Sequence, residues 1–361
     1  MKWSYRRPHL SFPLGKLSPA GWVIPLLGGI LSLVSASPAA AEVPHGVFSM
    51  TVSGNPTNDT VLTNPNVDGI SIRDRWSSLE PTEGHFDWAY LDSAVAAAGD
   101  AGKQVILRIT TMADRPAWVD TAVKNAGGKF FVFTSDGVPT SIPLFWDPVF
   151  LEKKKALIVA LGAHFANNPA VTMVWASFAN AASEDWNVPH TADLIPQWLS
   201  LGYTSDKMLG AGQQIIDTTM RAFPYQYVTL AEGGDGPNLD PSLIYVASTT
   251  IATERAAWPD RLVVQRNSLS TFIPVAPATI GSVWRLIWDS RPMVGAQMIA
   301  QCVNDPNYRV NNGIPIDPAV ALRRSIKAGV SYGVNFVEIP QIDVVNLPKV
   351  ISYAHRVLIA Q

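Results

Sequence analysis

The sequence predicts an α/β fold, a (β/α)8 TIM barrel formed as one domain behind an N-terminal export segment. Short runs rich in β-branched and apolar residues alternate with longer stretches of helical periodicity, the pattern of a parallel sheet with crossover helices. Several of these runs are apolar almost throughout, as in strands covered on both faces. Residues 42–361 are of a length that suits one such barrel.

In chain order the expected strands are residues 45–52, 69–76, 104–111, 171–178, 227–232, 261–267, 292–298 and 335–340. Between them, apolar residues recur at helical spacing over 88–101, 148–165, 205–222, 241–257 and 317–329, with Gly102 and Gly329 where helix C-caps belong. Residues 269–289 fit neither pattern, because Pro274 and Pro277 interrupt their apolar pieces. An open doubly wound sheet would instead call for a glycine-rich phosphate turn after the first strand, and Ser53-Gly54-Asn55-Pro56 is not one.

Residues 1–41 read as an export signal. Lys2, Arg6, Arg7 and Lys16 precede an apolar run over 21–36, and Ser37-Pro38-Ala39-Ala40-Ala41 puts small residues where a signal peptidase reads them. The run is shorter than the roughly 20 residues of a spanning helix and is broken by Pro25, so cleavage after Ala41 and a periplasmic or extracellular product are expected, with no stable membrane anchor. The Arg6-Arg7 pair suits the twin-arginine route and also an ordinary export signal.

Composition narrows the partners. Lys and Arg number 27 against 29 Asp and Glu, so there is no electrostatic footprint for nucleic acid. The lone Cys302 cannot form an internal bridge and is expected to pack as a small apolar side chain. Twelve Trp with only 16% charged residues suit a large core and an aromatic-lined cleft. His190 has no second histidine at ligand spacing, and neither a His-Glu-x-x-His pair nor a Gly-x-Ser-x-Gly elbow is present, so no metal or other cofactor is expected.

In such barrels the active site lies at the C-terminal strand ends. Polar residues there are Arg73 to Trp76 at the end of strand two, Arg108 on strand three, Asn180 and Glu184-Asp185-Trp186 after strand four, Glu232 at the end of strand five, Gln265 and Asn267 on strand six, Gln297 on strand seven, and Glu338, Gln341 and Asp343 on or after strand eight. Paired carboxylates at one cavity are what glycosidic cleavage requires, one protonated to donate to the leaving oxygen and one ionised to attack or to activate water. Trp76, Trp118, Trp146 and Trp186 could stack on sugar rings. Arg73 and Arg108 could hold a carboxylate ionised or serve as structural ion pairs; Gln265 and Asn267 could bind hydroxyls or shape turns. Glu80 and Glu83 are expected to cap and solvate a turn.

The run Trp76-Ser-Ser-Leu79-Glu80-Pro81, continued by Gly84-His85-Phe86-Asp87-Trp88, resembles the Trp-x-x-Leu-Glu-Pro-x-x-Gly-x-Phe-Asp-Trp segment after strand two of barrel glycoside hydrolases such as the family-42 β-galactosidases. Residues 142–148 and 163–171 are similar to the passage from loop three to strand four of those enzymes. The resemblance implies a retaining mechanism, an acid/base glutamate following an asparagine at the end of strand four and a nucleophilic glutamate at the end of strand seven. The chain departs at both: Asn180 is followed by Ala181, with Glu184 the nearest carboxylate, and strand seven carries Gln297, which cannot act as a nucleophile. Glu338 is the best downstream glutamate, on strand eight by this count or on strand seven if one strand is miscounted.

The expected function is that of an exported glycoside hydrolase acting on an oligosaccharide or glycoside, with Glu184 and Glu338 catalytic and Arg73, Trp76, Arg108, Trp146, Asn180, Trp186, Glu232, Gln265, Asn267 and Gln297 binding substrate. A carbohydrate-binding barrel that has lost the pair is the alternative from another class. A sugar lyase or epimerase would need a lysine base or a metal site that the sequence does not offer. Oligomeric state has no signature here.

Overall fold

Eight parallel strands close into a barrel in the computed structural model, which describes residues 43–135, 137–176, 192–233, 245–311 and 314–361. The strands are β1 (Gly46–Met50), β2 (Gly69–Arg75), β3 (Gln104–Thr110), β4 (Val171–Trp175), β5 (Tyr227–Ala231), β6 (Leu262–Leu269), β7 (Val294–Met298) and β8 (Phe336–Pro340). Each pairs with its sequence neighbours, and β8 returns to β1 with Phe48 opposite Glu338. All eight expected strands are present, so Glu338 lies on strand eight and Gln297 on strand seven.

The outer ring is α1 (Asp59–Leu62), α2 (Ala89–Asp100), α3 (Pro148–Phe165), α4 (Ser205–Ala222), α5 (Tyr245–Ala257), α6 (Val283–Asp289), α7 (Pro318–Ser331) and α8 (Pro348–Ile359). Local chemistry starts these helices. Asp147 Oδ1 accepts from the Val149 and Phe150 N–H groups at 3.0 Å, with Pro148 at the first helical position, and Asp317 and Pro318 repeat the device at α7. Gly102 (φ +69°) follows α2, as expected. Gly329 does not end α7: the helix runs on to Ser331 and Gly333 (φ +73°) supplies the left-handed residue. Gly329 is instead buried near Val334 and Leu269. The unassigned stretch 269–289 carries the end of β6, an irregular stretch and the short α6. An antiparallel hairpin of Phe130–Ser135 and Val138–Pro143, which helical and parallel-strand patterns did not foretell, rises from the loop after β3.

Two apolar layers hold the barrel. Outside, strand residues such as Ile70, Leu107, Val228 and Val337 pack with the helices. Inside, Phe48, Ile106, Met173, Tyr227, Val263 and Phe336 fill the lumen. Burying each such large side chain contributes roughly 1.5–3 kcal/mol. Two glycines make the filling possible: a Cβ on Gly69 would lie 2.1 Å from the Phe48 ring, and one on Gly295 would lie 2.3 Å from the Phe336 ring. The rings, 5.5 Å apart and edge to face, occupy that space.

Candidate active site

Above the apolar filling, the next inward-facing positions are polar. The register sets Glu338 beside Gln297 and Arg73 beside Arg108. Arg108 crosses the lumen: its Nη1 donates to Gln297 Oε1 at 2.6 Å and to both Glu338 oxygens at 3.3 Å, and its guanidinium lies 3.8 Å from the centre of the Trp175 ring. Gln265 Nε2 donates to Glu338 Oε2 and, at 2.9 Å, to Asn267 Oδ1. Glu338 and Gln265 are fully enclosed and Arg108 is 1% exposed. A charge pair so deeply buried survives because amides and an aromatic face supplement it.

A cleft of about 700 Å³ opens at the C-terminal mouth, between the ends of β1, β2 and β3 and the loops after β7 and β8. Arg73, Arg75, Asp114, Gln297, Gln301 and Gln341 are among its walls. Gln297 therefore belongs to both the cleft and the polar layer.

Two carboxylates brace the mouth. Asp74, buried near the end of β2, accepts from the Arg75 N–H at 2.8 Å and from Ser53 at 3.3 Å; burial raises its pKa above the ordinary value and these donors offset part of the rise. Asp343 accepts from the Cys302 and Val303 N–H groups at 2.7 and 2.9 Å, tying the loop after β7 to the segment after β8. Burial raises its pKa too, against those two donors. Cys302 is buried as expected, its thiol pushed up to about 12 by burial and by the nearby Asp343.

The structure brings Arg73, Arg108, Gln265, Asn267, Gln297 and Glu338 together at this end of the barrel. Glu232 is fully buried but shares strand parity with Val228 and Leu230, which face the helices, and not with Tyr227 and Ala231, which face the lumen. Asn180, Glu184 and Trp186 lie outside the described residues, as does His190.

Three of the tryptophans expected at the rim, Trp76, Trp118 and Trp146, build scaffold instead. Trp76 is fully enclosed, edge-on to Trp118 at 5.9 Å, and its indole N–H donates to Glu80 Oε2 at 2.7 Å. Glu80 Oε1 takes the Gly84 N–H at 2.8 Å and its carbonyl takes the Trp118 indole at 3.0 Å, so Glu80 organises the whole turn. Glu83 pairs with Lys153 at 2.8 Å. Phe86, Trp88 and His164 continue in a stack. Trp146, half-buried, packs against Trp198 and Tyr203 beside the hairpin. Large aromatic side chains go where they bury most area, and here that is between loops.

Asn58, Asp114, Gln301 and Asp305 also line the cleft and were not singled out from the sequence. They sit in loops, several residues past strand ends, where polar residues carry no periodic signal. Among the described residues no group of three or more His, Cys, Asp or Glu side chains could hold a metal ion.

A closed parallel barrel with a polar cleft at its C-terminal mouth is the architecture of the (β/α)8-barrel enzymes. The family model described as β-galactosidase, glycoside hydrolase family 42, matches residues 72–211, from β2 into α4. The barrel is similar to the catalytic domain of β-amylase from Paenibacillus polymyxa (TM-score 0.58, 9% identity, covering 88% of this chain and 98% of that one). It is also similar to β-galactosidases from the psychrophilic Marinomonas ef1 (0.52, 12%, 81% and 53%) and from the Antarctic haloarchaeon Halorubrum lacusprofundi (0.51, 15%, 81% and 52%). The chain thus spans about half the length of those two galactosidases. No curated protein sequence matches.

Proposed function

We propose that this chain is an exported glycoside hydrolase acting on an oligosaccharide or glycoside, with Glu184 as acid/base and Glu338 as the second carboxylate. The observation that carries the reading is Glu338 itself: a glutamate in the lumen, two hydrogen bonds from the cleft through Arg108 and Gln297. In a retaining cycle Glu184 gives its proton to the leaving oxygen while a Glu338 oxygen bonds to the anomeric carbon; water then displaces Glu338, giving its proton back to Glu184. Glu338 is fully enclosed, so this chemistry requires the polar layer around it to open as the sugar enters. The family match over 72–211 supports the reaction class. The basic and apolar pattern of residues 1–41 supports export, and no helix among the described residues is long and apolar enough to cross a membrane.

The test is hydrolysis of a panel of aryl glycosides and plant oligosaccharides by the protein beside Glu184→Gln and Glu338→Gln. Loss of cleavage by about 10³-fold or more in both variants, with the fold intact, is expected. A second reading, a carbohydrate-binding barrel, is favoured by the neutral Gln297 on strand seven and the enclosure of Glu338. Binding without cleavage of any panel member selects it.

A further inference from the structure

Away from the cleft, one flank of the barrel combines exposed apolar side chains with unopposed cations. Three strips lie side by side there: residues 270–282 after β6, then α7, then α8. Tyr332, just past the end of α7, joins the first two. Its hydroxyl donates to Pro274 O at 2.9 Å, and Trp284 and Trp288 of α6 pack against its ring. Arg323 joins the last two, lying 3.9 Å over the Tyr353 ring of α8.

Residues 267–284 carry no charged side chain. Within them Val275 is 88% exposed, Ile280 81% and Phe272 55%. Single exposed apolar residues are ordinary, but three in one uncharged loop are a concentration that marks an interaction surface.

The helices supply the opposite character. α7 exposes Arg323, Arg324 and Lys327 at helical spacing, and α8 exposes Lys349 and Arg356, about two turns apart on one face. Neither helix contains an acid. Acids on the adjoining segments are occupied: Asp317 caps α7, Asp343 holds the Cys302 and Val303 N–H groups, Asp289 pairs with Arg285, and Asp68 with His355. Among the described residues none of the five cations pairs with a carboxylate. The whole-chain balance of 27 Lys and Arg against 29 Asp and Glu conceals this local excess.

Few partners use both characters. A soluble polyanion would neutralise the cations and leave the apolar loop in water. A second copy related by a two-fold axis would set cations against cations. An anionic phospholipid surface offers phosphates to the helices and an apolar boundary to the loop.

We infer that this flank is a reversible docking surface for an anionic phospholipid bilayer, with Phe272, Val275 and Ile280 entering the interface and the α7 and α8 cations resting on the headgroups. Such docking is independent of whatever chemistry the cleft performs.

The experiment is flotation of the full chain with vesicles of phosphatidylcholine alone or enriched in phosphatidylglycerol, at low and high salt. It is repeated with a charge variant, Arg324→Glu with Lys327→Glu and Arg356→Glu, and an apolar variant, Val275→Ser with Ile280→Ser. All five positions are exposed, so both variants keep the fold. Each cation at an anionic surface strengthens binding about fivefold, so the charge variant should lose well over tenfold and added salt should release the protein. The apolar variant should lose about tenfold.

A polarity-sensitive fluorophore attached through Val275→Cys reads the contact locally. Cys302 is buried, its thiol pushed up to about 12, which leaves the introduced thiol as the reactive one. Anionic vesicles should shift the emission to the blue there and not at Val138→Cys, on the hairpin after β3, the strand opposite β7 in the barrel. This local signal also separates the flank from residues 1–41, which every variant retains.

Equal binding to neutral vesicles, binding unchanged in both variants, or a fluorophore at position 275 that stays in water overturns the inference. So does binding of a soluble polyanion, or self-association, that the charge variant loses while vesicles are not bound; either result gives the flank to that partner instead.

Discussion

Gln297 Oε1 sits 2.6 Å from Arg108 Nη1, the same nitrogen that faces both oxygens of Glu338. One guanidinium nitrogen thus couples a cleft residue on strand seven to a buried carboxylate on strand eight, and neither can be changed without consequence for the other.

Arg108→Met should destabilise the fold by about 3–5 kcal/mol, because it strands the Glu338 charge in the lumen. Arg108→Met combined with Glu338→Leu should recover much of that loss, since both charges are then gone. Urea unfolding of the unchanged protein, Arg108→Met, Glu338→Leu and the double variant measures it; a double variant as unstable as the sum of the two single ones would sink the coupling.

Asp343→Ala should free the loop after β7 by removing the acceptor for the Cys302 and Val303 N–H groups, at a cost of about 1–3 kcal/mol for the buried donors left unmatched. Amide exchange should rise across residues 299–305 and stay unchanged at the hairpin of residues 130–143. Uniform exchange across both segments would argue against a local clamp.

Glu254 on α5 is buried close to Asp217, and burial, aided by that second carboxylate, pushes its pKa from 4.5 up to about 7. The folded protein therefore keeps a proton that the unfolded chain releases between those values, so this group's contribution is fully present below pH 4.5 and is lost as pH rises through about 7. Glu254→Gln should raise Tm by a few degrees at pH 8, with the gain vanishing toward pH 4. A gain independent of pH would locate the effect in packing.

Gly46 adopts φ +104°, and a Cβ there would fall 2.0 Å from Asp68 Oδ2. Asp68 also accepts from the Val47 N–H and from His355 on α8, closing the barrel floor across 287 residues of chain. Gly46→Ala should lower stability by about 2 kcal/mol or more, from backbone strain and the displaced carboxylate. Calorimetric melting of the variant checks this, and an unchanged Tm would contradict it.

The barrel was legible because burial on both faces writes continuous apolar runs, and all eight of these became strands. What stayed hidden follows from the same physics. Residues 269–289 lack periodicity because α6 is only seven residues long and irregular chain precedes it. Gly329 and Gly333 look alike in sequence, and only packing against Leu269 and Val334 decides which one sits inside the helix. Trp76 reads equally as a platform or as core, and its bond to Glu80 makes it core. Asn58 and Gln301 stayed hidden because they sit in loops, where no period marks which polar residue the fold will bring to the cleft.

The ring of Phe336, seated in the space that Gly295 leaves, stoppers the lumen two residues below Glu338 on the same strand. The polar layer is therefore the bottom of a blind shaft. Among the described residues, whatever reaches Glu338 comes down past Gln297 and leaves by climbing back past it, so in the proposed hydrolase the exit of one product and the entry of the next substrate would share that doorway.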